Sequence, residues 1–383
     1  MSKRRKTLVV ASILLMALTC LLALRPGGRA STTASATETD EASPSGSPTH
    51  VAVAPRPAPQ AADPPTVTAE PSARAFGELP ALGTNAQAKV WVKATYGDGE
   101  DQLAFLDDGE DYPPQGFVPT RDGKLVVLDS WKQRLVRYDA SGKIEGTIAL
   151  PKEAVVLPAG VAITEDGTIA VMDSPGVQTK GTVLLDASGK KKGELPQIGA
   201  TFLDMYAAGN AVYAVHMGRS SVKAGNTDGT PSDERPGVYR NEEDGMVPGI
   251  VGSDGNTVVS VSPYQHPEGF IVNVMRGAEP KLVFAGTYKY PHKGAPEDDA
   301  AIVYLRSDDR GNVYIVLWVD QAMSLVCLDG NTGAPTGRVG IPGRPDEGGT
   351  QFTTFNVVPT GGIVFQRATN EGSSYEFYNC TPS

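Results

Sequence analysis

Short apolar runs separated by tight polar turns recur along most of the chain. The clearest unit contains, in order, the segment 114–120, a turn at Asp122-Gly123, the segments 124–130 and 134–139, a turn at 140–142 and the segment 144–150. Apolar runs of this length, bounded by Asp-Gly and Ser-Gly turns, indicate short antiparallel strands rather than helices. Four such strands joined by tight turns make one blade of a β-propeller.

Glycines in the turn between the first two strands of each unit give the spacing of the repeat. The candidate turn glycines are Gly123, Gly167, Gly209, Gly269, Gly311 and Gly362. Most of the intervals are close to the roughly 40–45 residues that a four-stranded blade occupies. The interval after Gly209 is longer, so we expect an excursion at 218–247, in or after the third of six blades.

A propeller must join its first and last blades. The last unit, 352–380, has three recognisable strands, and the strand-like segment 89–94 precedes the first unit. We therefore expect the N-terminal strand to complete the last blade, because pairing of the two chain ends closes the ring. The predicted fold is all-β: a six-bladed β-propeller of four-stranded antiparallel blades over 89–383, preceded by an N-terminal hydrophobic segment and a disordered linker.

The first 30 residues have the pattern of an export signal. Basic residues at 3–6 precede an uncharged run at 7–24, which favours transfer of the following chain across the membrane. At 1.5 Å per residue the run reaches roughly 27 Å, enough to span a bilayer. Residues 1–30 are therefore a signal peptide or an uncleaved anchor, with lipidation of Cys20 as a third alternative. All three predict a protein at the outer face of the cytoplasmic membrane, in the cell envelope or secreted, which contacts the membrane through this segment only.

Composition narrows the classes of function. With 43 Gly and 30 Pro among 383 residues, the chain suits many short strands joined by turns. The net charge is −10 and the body has no stripe of Lys and Arg, which excludes nucleic-acid binding. Residues 31–88 are rich in Pro, Ala, Ser and Thr, so we expect a disordered spacer there. We expect the propeller itself to be monomeric.

The repeat has a recognisable motif: Pro-x-Gly and an apolar residue, then Asp-Gly, an apolar strand ending in Asp-Ser, and a second strand ending in Asp-x-x-Gly. It occurs at 114–142 and 158–189, and in a looser form at 302–333. This motif resembles that of the NHL-repeat and gluconolactonase-like (strictosidine-synthase-like) six-bladed propellers. The resemblance implies the fold; it implies little about function, because propellers host unrelated activities.

In the lactonase-like relatives, a channel metal is held by an acid near the Pro-x-Gly position together with Asn and Asp side chains. Here Gln115 and Ala159 stand where the resemblance places that acid. The other channel candidates are Asn256, Asn356 and Asp204. We predict no cofactor, with a divalent cation in the channel as the alternative. Asp129 and Asp173, at strand ends typical of the repeat, are expected to cap turns.

Two further sets of residues are candidates for a role. Tyr288, Tyr290 and His292 form the best partner-binding run by composition, because exposed tyrosines offer contact area and a hydroxyl group. Cys327 and Cys380 fall in the exported part of the chain, where a cysteine pair can oxidise. A disulfide between them requires their blades to approach closely, although blades diverge toward their outer strands.

The sequence favours a non-enzymatic binding or scaffold propeller that presents loops to an envelope protein or glycan. The alternative is a lactonase-like hydrolase or lyase with a metal in the central channel. A sensor domain that binds a small ligand in the channel is a third hypothesis.

Overall fold

The structure is a computed structural model. It describes residues 77–84, 87–107, 111–174, 181–196, 202–216, 220–232, 249–262, 269–277, 281–292, 300–343 and 354–380. The predicted export segment, Cys20 and most of the predicted spacer lie outside these residues. Within these ranges, no helix is long and apolar enough to cross a membrane.

The described residues form strands throughout. In chain order they are β1 (Gln87–Thr95), β2 (Leu106–Asp107), β3 (Asp111–Tyr112), β4 (Gly116–Pro119), β5 (Leu125–Asp129), β6 (Arg134–Tyr138), β7 (Ile144–Ala149), β8 (Pro158–Ile163), β9 (Ile169–Asp173), β10 (Thr182–Leu185), β11 (Lys191–Leu195), β12 (Phe202–Ala208), β13 (Ala211–His216), β14 (Ser220–Asn226), β15 (Ile250–Val251), β16 (Thr257–Ser262), β17 (Gly269–Arg276), β18 (Lys281–Lys289), β19 (Ala300–Ser307), β20 (Val313–Val319), β21 (Ala322–Leu328), β22 (Pro335–Ile341), β23 (Phe355–Val357), β24 (Ile363–Thr369) and β25 (Gly372–Asn379).

β2 and β3 pair only with each other, and the remaining strands form six antiparallel sheets arranged as the blades of a ring. Blade 1 is β4–β7, blade 2 is β8–β11, blade 3 is β12–β14, blade 4 is β15–β18, blade 5 is β19–β22, and blade 6 is β23–β25 with β1. The first strand of each blade lies innermost, and β23 of the last blade contacts β4 of the first. The predicted all-β, six-bladed propeller is confirmed. Within the described residues blade 3 has three strands.

The two ends of the propeller close the ring as expected. β1 pairs antiparallel with β25, from Gln87 opposite Asn379 to Thr95 opposite Gly372. Val92 of β1 is buried with Phe117 of blade 1 and Tyr375 of blade 6, so the closing strand shares a core with both blades. The rings of Phe117 and Tyr375 meet edge to face, with their centroids 5.2 Å apart. This packing stabilises the seam beyond the hydrogen bonds of the strand pair.

One turn of blade 4 differs from the prediction. Gly269 begins β17, and the hairpin between β15 and β16 turns at Gly255, which has a φ of 67°. The strand before this hairpin, β15, has only 2 residues, too short to give a sequence pattern. The predicted excursion at 218–247 is also wrong in part, because Ser220–Asn226 forms β14 of blade 3.

Residues 77–84, which we call the strap, cross the outer edges of two blades before the chain enters β1. Gly77 N donates to the Thr287 carbonyl of β18 (2.7 Å), and Arg338 N of β22 donates to the Thr84 carbonyl (3.2 Å). Leu79 packs against the buried cluster that blades 3, 4 and 5 share. The strap was predicted as part of the disordered spacer, and the structure places it in the ordered domain. Its strand pairing is too short to show an alternating pattern.

The structure joins blades 5 and 6 through Cys327 and Cys380. Their sulfur atoms lie 2.10 Å apart and their Cα atoms 5.9 Å apart, and both side chains are buried. The expected divergence of the blades is overcome because Gly337 of β22 has no side chain. A Cβ atom at Gly337 would lie 2.8 Å from the Cβ of Cys380.

Candidate functional site

One face of the ring carries the hairpins between the first and second strands of the blades; we call it the hairpin face. Turn chemistry explains why these hairpins form. In blade 2, Thr164 Oγ1 donates to Asp166 Oδ1 (2.6 Å), and Thr168 N donates to the same oxygen (3.0 Å). Burial raises the pKa of Asp166, but these hydrogen bonds outweigh the effect of burial and bring the pKa down to about 2. A charged Asp at this position therefore holds the turn.

Backbone hydrogen bonds tie the hairpins of neighbouring blades to one another. They run from Glu165 N to the Gly209 carbonyl (3.0 Å), from Ser253 N to the Ser307 carbonyl (3.1 Å) and from Asp309 N to the Pro359 carbonyl (3.0 Å). They link blade 2 with blade 3, blade 4 with blade 5, and blade 5 with blade 6. The loops of the hairpin face are therefore fixed relative to one another.

A charged bridge adds a longer connection across the mouth of the channel. Arg121 of blade 1 forms ion pairs with Asp309 of blade 5 (Nε to Oδ2, 2.6 Å) and with Glu165 of blade 2 (Nη1 to Oε1, 3.2 Å). The hydrogen bond to Asp309 is the main reason that the pKa of Arg121 is raised. These side chains are partly exposed, so water and salt weaken the pairs.

A cavity of about 430 Å³ lies in the channel beneath these hairpins. Part of its wall is apolar and includes Ile163, Val357 and Pro359. Another part is polar and includes Arg306 and Asn356. Small-molecule sites are typically concave and largely apolar, with a few fixed polar groups. The cavity is concave and has an apolar part, and its lining carries the charged hairpin residues Arg121, Asp122 and Glu165 as well as one inner-strand charge, Arg306.

Arg306, on β19, is 4% exposed and is the buried charge of this wall. Its guanidinium carbon lies 4.5 Å from the ring centroid of Tyr206 and 5.4 Å from that of Tyr304. Nη1 donates to the Leu305 carbonyl (3.0 Å), and Nη2 lies 3.5 Å from Asp204 Oδ2. Within the described residues these are its two hydrogen bonds, fewer than the five N–H groups of a guanidinium.

The predicted channel residues are only partly brought together. Asp204 lies on β12 beside Arg306, and Asn356 on β23 lines the cavity and donates to the Phe117 carbonyl (2.8 Å). Asn256 does not face the channel; it is exposed in the hairpin that follows β15. Gln115 and Ala159 are both buried at the starts of their blades.

In the described part of the chain, no group of three or more His, Cys, Asp or Glu side chains has a metal-binding arrangement.

Asp129 accepts hydrogen bonds from Ala104 N (3.0 Å) and from Arg134 Nε (2.8 Å). Asp173 accepts one from Leu157 N (3.0 Å). Both carboxylates hold the loop that precedes their blade, with backbone partners 25 and 16 residues earlier in the chain; their role is structural, as expected, but they do not cap a turn at the strand end.

The run of Tyr288, Tyr290 and His292 is less accessible than its composition suggests. Tyr288 is 4% exposed and donates to the Gly333 carbonyl (2.6 Å), and burial raises its pKa to about 12. Tyr290 is 8% exposed and packs against Phe270. His292 Nδ1 lies 3.2 Å from Asp320 Oδ1. The expected exposure of the tyrosines is wrong, because the end of β18 packs into the core shared with blade 5; the binding role of the run stays a prediction.

Sequence reasoning missed Arg306. Its signal is a single charge near the end of the otherwise uncharged strand β19, Ala300–Ser307. A charge in a strand that lines a propeller channel is costly unless it is paired or used. The partners of Arg306 on β12 are about a hundred residues away in the chain, so the sequence gives no indication of the pair.

Several solved structures are similar to this chain at low sequence identity. The WD40 domain of Pan2 from Neurospora crassa is 12% identical, with a TM-score of 0.42 over 75% of this chain and 88% of that chain. BamB from Moraxella catarrhalis is 14% identical, with a TM-score of 0.34 over 68% and 96%. Streptogramin B lyase is 11% identical, with a TM-score of 0.36 over 77% and 98%.

These likenesses are too weak to carry an argument about what the chain does. No protein-family model matches the chain, and no curated protein matches it. The class that the strands themselves define is a six-bladed β-propeller. Its NHL-repeat or gluconolactonase-like character stays a prediction.

Proposed function

We propose that this chain is an extracytoplasmic, non-enzymatic binding propeller that presents the loops of its hairpin face to an envelope protein or glycan. The observation that carries this proposal is the set of ties between hairpins, formed by backbone hydrogen bonds and by the Arg121 bridge. Loops that are fixed before a partner arrives lose little conformational entropy on binding.

The surface of the hairpin face supports a polar partner. Asp122, Glu165, Arg310 and Thr360 are exposed there and include both signs of charge and a hydroxyl group. Such groups bind protein or sugar surfaces through hydrogen bonds at the rim of an interface. A basic stripe suited to nucleic acid does not occur in this set.

Gln115 and Ala159 stand in place of the acid of the lactonase-like motif, and the other acidic residues that the sequence singled out are engaged in other contacts. Asp204 lies against Arg306, and Asp129 and Asp173 hold backbone amides. A calcium titration of the full chain, followed by thermal unfolding, separates the alternatives. We expect calcium to leave the unfolding temperature unchanged; a saturable rise would favour the lactonase-like hydrolase or lyase with a channel metal.

The proposal is tested by cross-linking the full-length protein in its native envelope and identifying what it captures. The variant Arg310→Glu with Thr360→Arg changes the charge of two adjacent hairpins. The matched control, Lys191→Glu with Glu194→Lys, reverses an exposed ion pair on the outer strand β11. Capture of one partner that the hairpin variant loses and the control keeps would support the proposal. No capture, or equal capture by both variants, would overturn it.

A further inference from the structure

The described residues accept two hydrogen bonds from Arg306, which leaves other N–H groups of this cavity-lining side chain available to an acceptor. The guanidinium is charged at every physiological pH and is almost entirely removed from bulk water. Burying a charge is costly unless hydrogen bonds replace its hydration. The Leu305 carbonyl and the distant carboxylate of Asp204 replace only part of it.

The two tyrosines set the orientation of the charge. The guanidinium carbon lies over the rings of Tyr206 and Tyr304, an arrangement that stabilises a buried cation. The N–H groups at the edge of the guanidinium plane that make no bond to the protein are the part left for an acceptor. A planar carboxylate matches the N–H groups along such an edge and forms two parallel hydrogen bonds with them.

The cavity in front of Arg306 has room for more than water. Its volume of about 430 Å³ lies within the range of roughly 300–1,000 Å³ typical of small-molecule sites. Ile163, Val357 and Pro359 supply an apolar wall, and Asn356 supplies an amide. A ligand with a compact apolar body would remove this wall from water and gain the corresponding burial energy.

The charges around the cavity favour a single negative charge on the ligand. Asp204 already offsets part of the charge of Arg306. The cavity rim carries the carboxylates of Asp122 and Glu165 and the guanidinium of Arg121, which is paired with Glu165. With Asp204 and Arg306 included, three carboxylates face two guanidinium groups, so a second negative charge on the ligand gains no net attraction. The balance therefore selects a monoanion.

We propose that the channel cavity binds a small organic acid with one carboxylate group and a compact apolar body, and that Arg306 holds the carboxylate. The site lies below the hairpin face and goes beyond the proposed partner binding. Its failure would leave the result of the cross-linking experiment unchanged, so the two proposals fail separately.

The test is a ligand-observed NMR titration of the full chain with benzoate, benzamide and inorganic phosphate. Benzamide has the shape of benzoate without its charge, and phosphate has charge without an apolar body. We expect benzoate to bind at least about tenfold more tightly than either, because a charge-assisted hydrogen bond contributes about 1.5–3 kcal/mol. Equal affinity for benzoate and benzamide, tighter binding of phosphate, or no benzoate binding would overturn the proposal.

Two variants locate the site. Arg306→Gln should weaken benzoate binding by about tenfold or more. Lys191→Gln, on the exposed outer strand β11 and outside both the cavity and the hairpin face, is the control and should leave the affinity unchanged. Wild-type affinity in folded Arg306→Gln protein would exclude the assigned role of Arg306.

A third variant keeps the test decisive if Arg306→Gln does not fold. Ala207 of β12 lines the cavity, and Ala207→Met adds methylene groups there while retaining Arg306. Benzoate binding should fall by about tenfold or more because the space for its ring is filled. Unchanged binding by this variant would place benzoate outside the cavity and overturn the proposal.

Discussion

Two buried Arg–Asp pairs in this propeller have the same chemistry and different surroundings. At the end of blade 1, Asp129 is fully buried and lies 2.8 Å from Arg134, which also donates to two backbone carbonyls. In the channel, Arg306 lies 3.5 Å from Asp204, and a cavity adjoins it. The first pair is surrounded by its protein partners, and the arginine of the second is buried but borders the cavity.

The difference indicates where the chain is built for stability and where for binding. A buried charge whose hydrogen bonds are all made by the protein fixes the structure around it. A buried charge that lacks some of those bonds, and that borders a cavity, is arranged for an acceptor from outside.

The largest effect is expected at the closed pair. Asp129→Ala removes the acceptor of Arg134 and of the Ala104 amide and leaves a poorly hydrated cation. We expect a loss of about 3–5 kcal/mol in the free energy of unfolding, measured by urea denaturation. Asp139→Ala, at an exposed turn of the same blade, is the control, and a similar loss in both variants would contradict the contrast.

The channel pair should contribute less to stability. Arg306→Gln keeps a donor, and Asp204 is 22% exposed in its side chain, so water can hydrate the remaining carboxylate. We expect a loss of about 1–2 kcal/mol in the same urea experiment. A loss as large as that of Asp129→Ala would show that the channel arginine is a structural group like Arg134.

The hairpin turn at Asp166 should make stability depend on pH, and its contribution should be smaller than that of either Arg–Asp pair. The pKa of Asp166 is lowered from 3.8 to about 2 in the folded protein. A lowered pKa contributes stability above the unfolded value, and this is lost as the pH falls through the folded value. Because the turn is partly exposed, we expect about 1 kcal/mol or less. In the variant Asp166→Asn, the free energy of unfolding should fall less steeply than in the wild type as the pH is lowered below about 4. An unchanged dependence on pH would show that Asp166 does not hold the turn through its charge.

The exposed bridge should have the smallest effect. Arg121→Gln breaks the pairs with Glu165 and Asp309 across the channel mouth. We expect a change within about 1 kcal/mol, decreasing further at high salt, because exposed ion pairs are hydrated and screened. Chemical denaturation with urea at low and high salt measures it. A larger, salt-independent loss would show that the bridge behaves as a buried pair.

The sequence predicted the parts of the fold that depend on local patterns. The Asp-Gly and Ser-Gly turns of blades 1 and 2 revealed the repeat, because an Asp side chain accepts hydrogen bonds from the Ser hydroxyl and from backbone amides of its own turn. Blade 4 was misaligned because β15 is too short to give an apolar run. The pattern of the chain thus succeeds where a blade is regular.

The candidate site depended on contacts that no local pattern encodes. Arg306 meets Tyr206 only because the inner strands of blades 3 and 5 converge on one channel. Asn256 looked like a channel residue until its turn was placed at the hairpin face. Side chains that meet across the ring can be recognised only when the register of every blade is known.

The strap has a mechanical consequence. Tension applied to the chain before Gly77 reaches the domain at the edge of blade 4, through a short parallel pairing with β18. It then meets the contact with Arg338 on blade 5 and lastly the long pairing of β1 with β25. The covalent link from Cys327 to Cys380 holds blades 5 and 6 together behind these contacts. Pulling would therefore detach the strap before it opens the ring, so detachment of these residues would absorb applied force before the propeller begins to unfold.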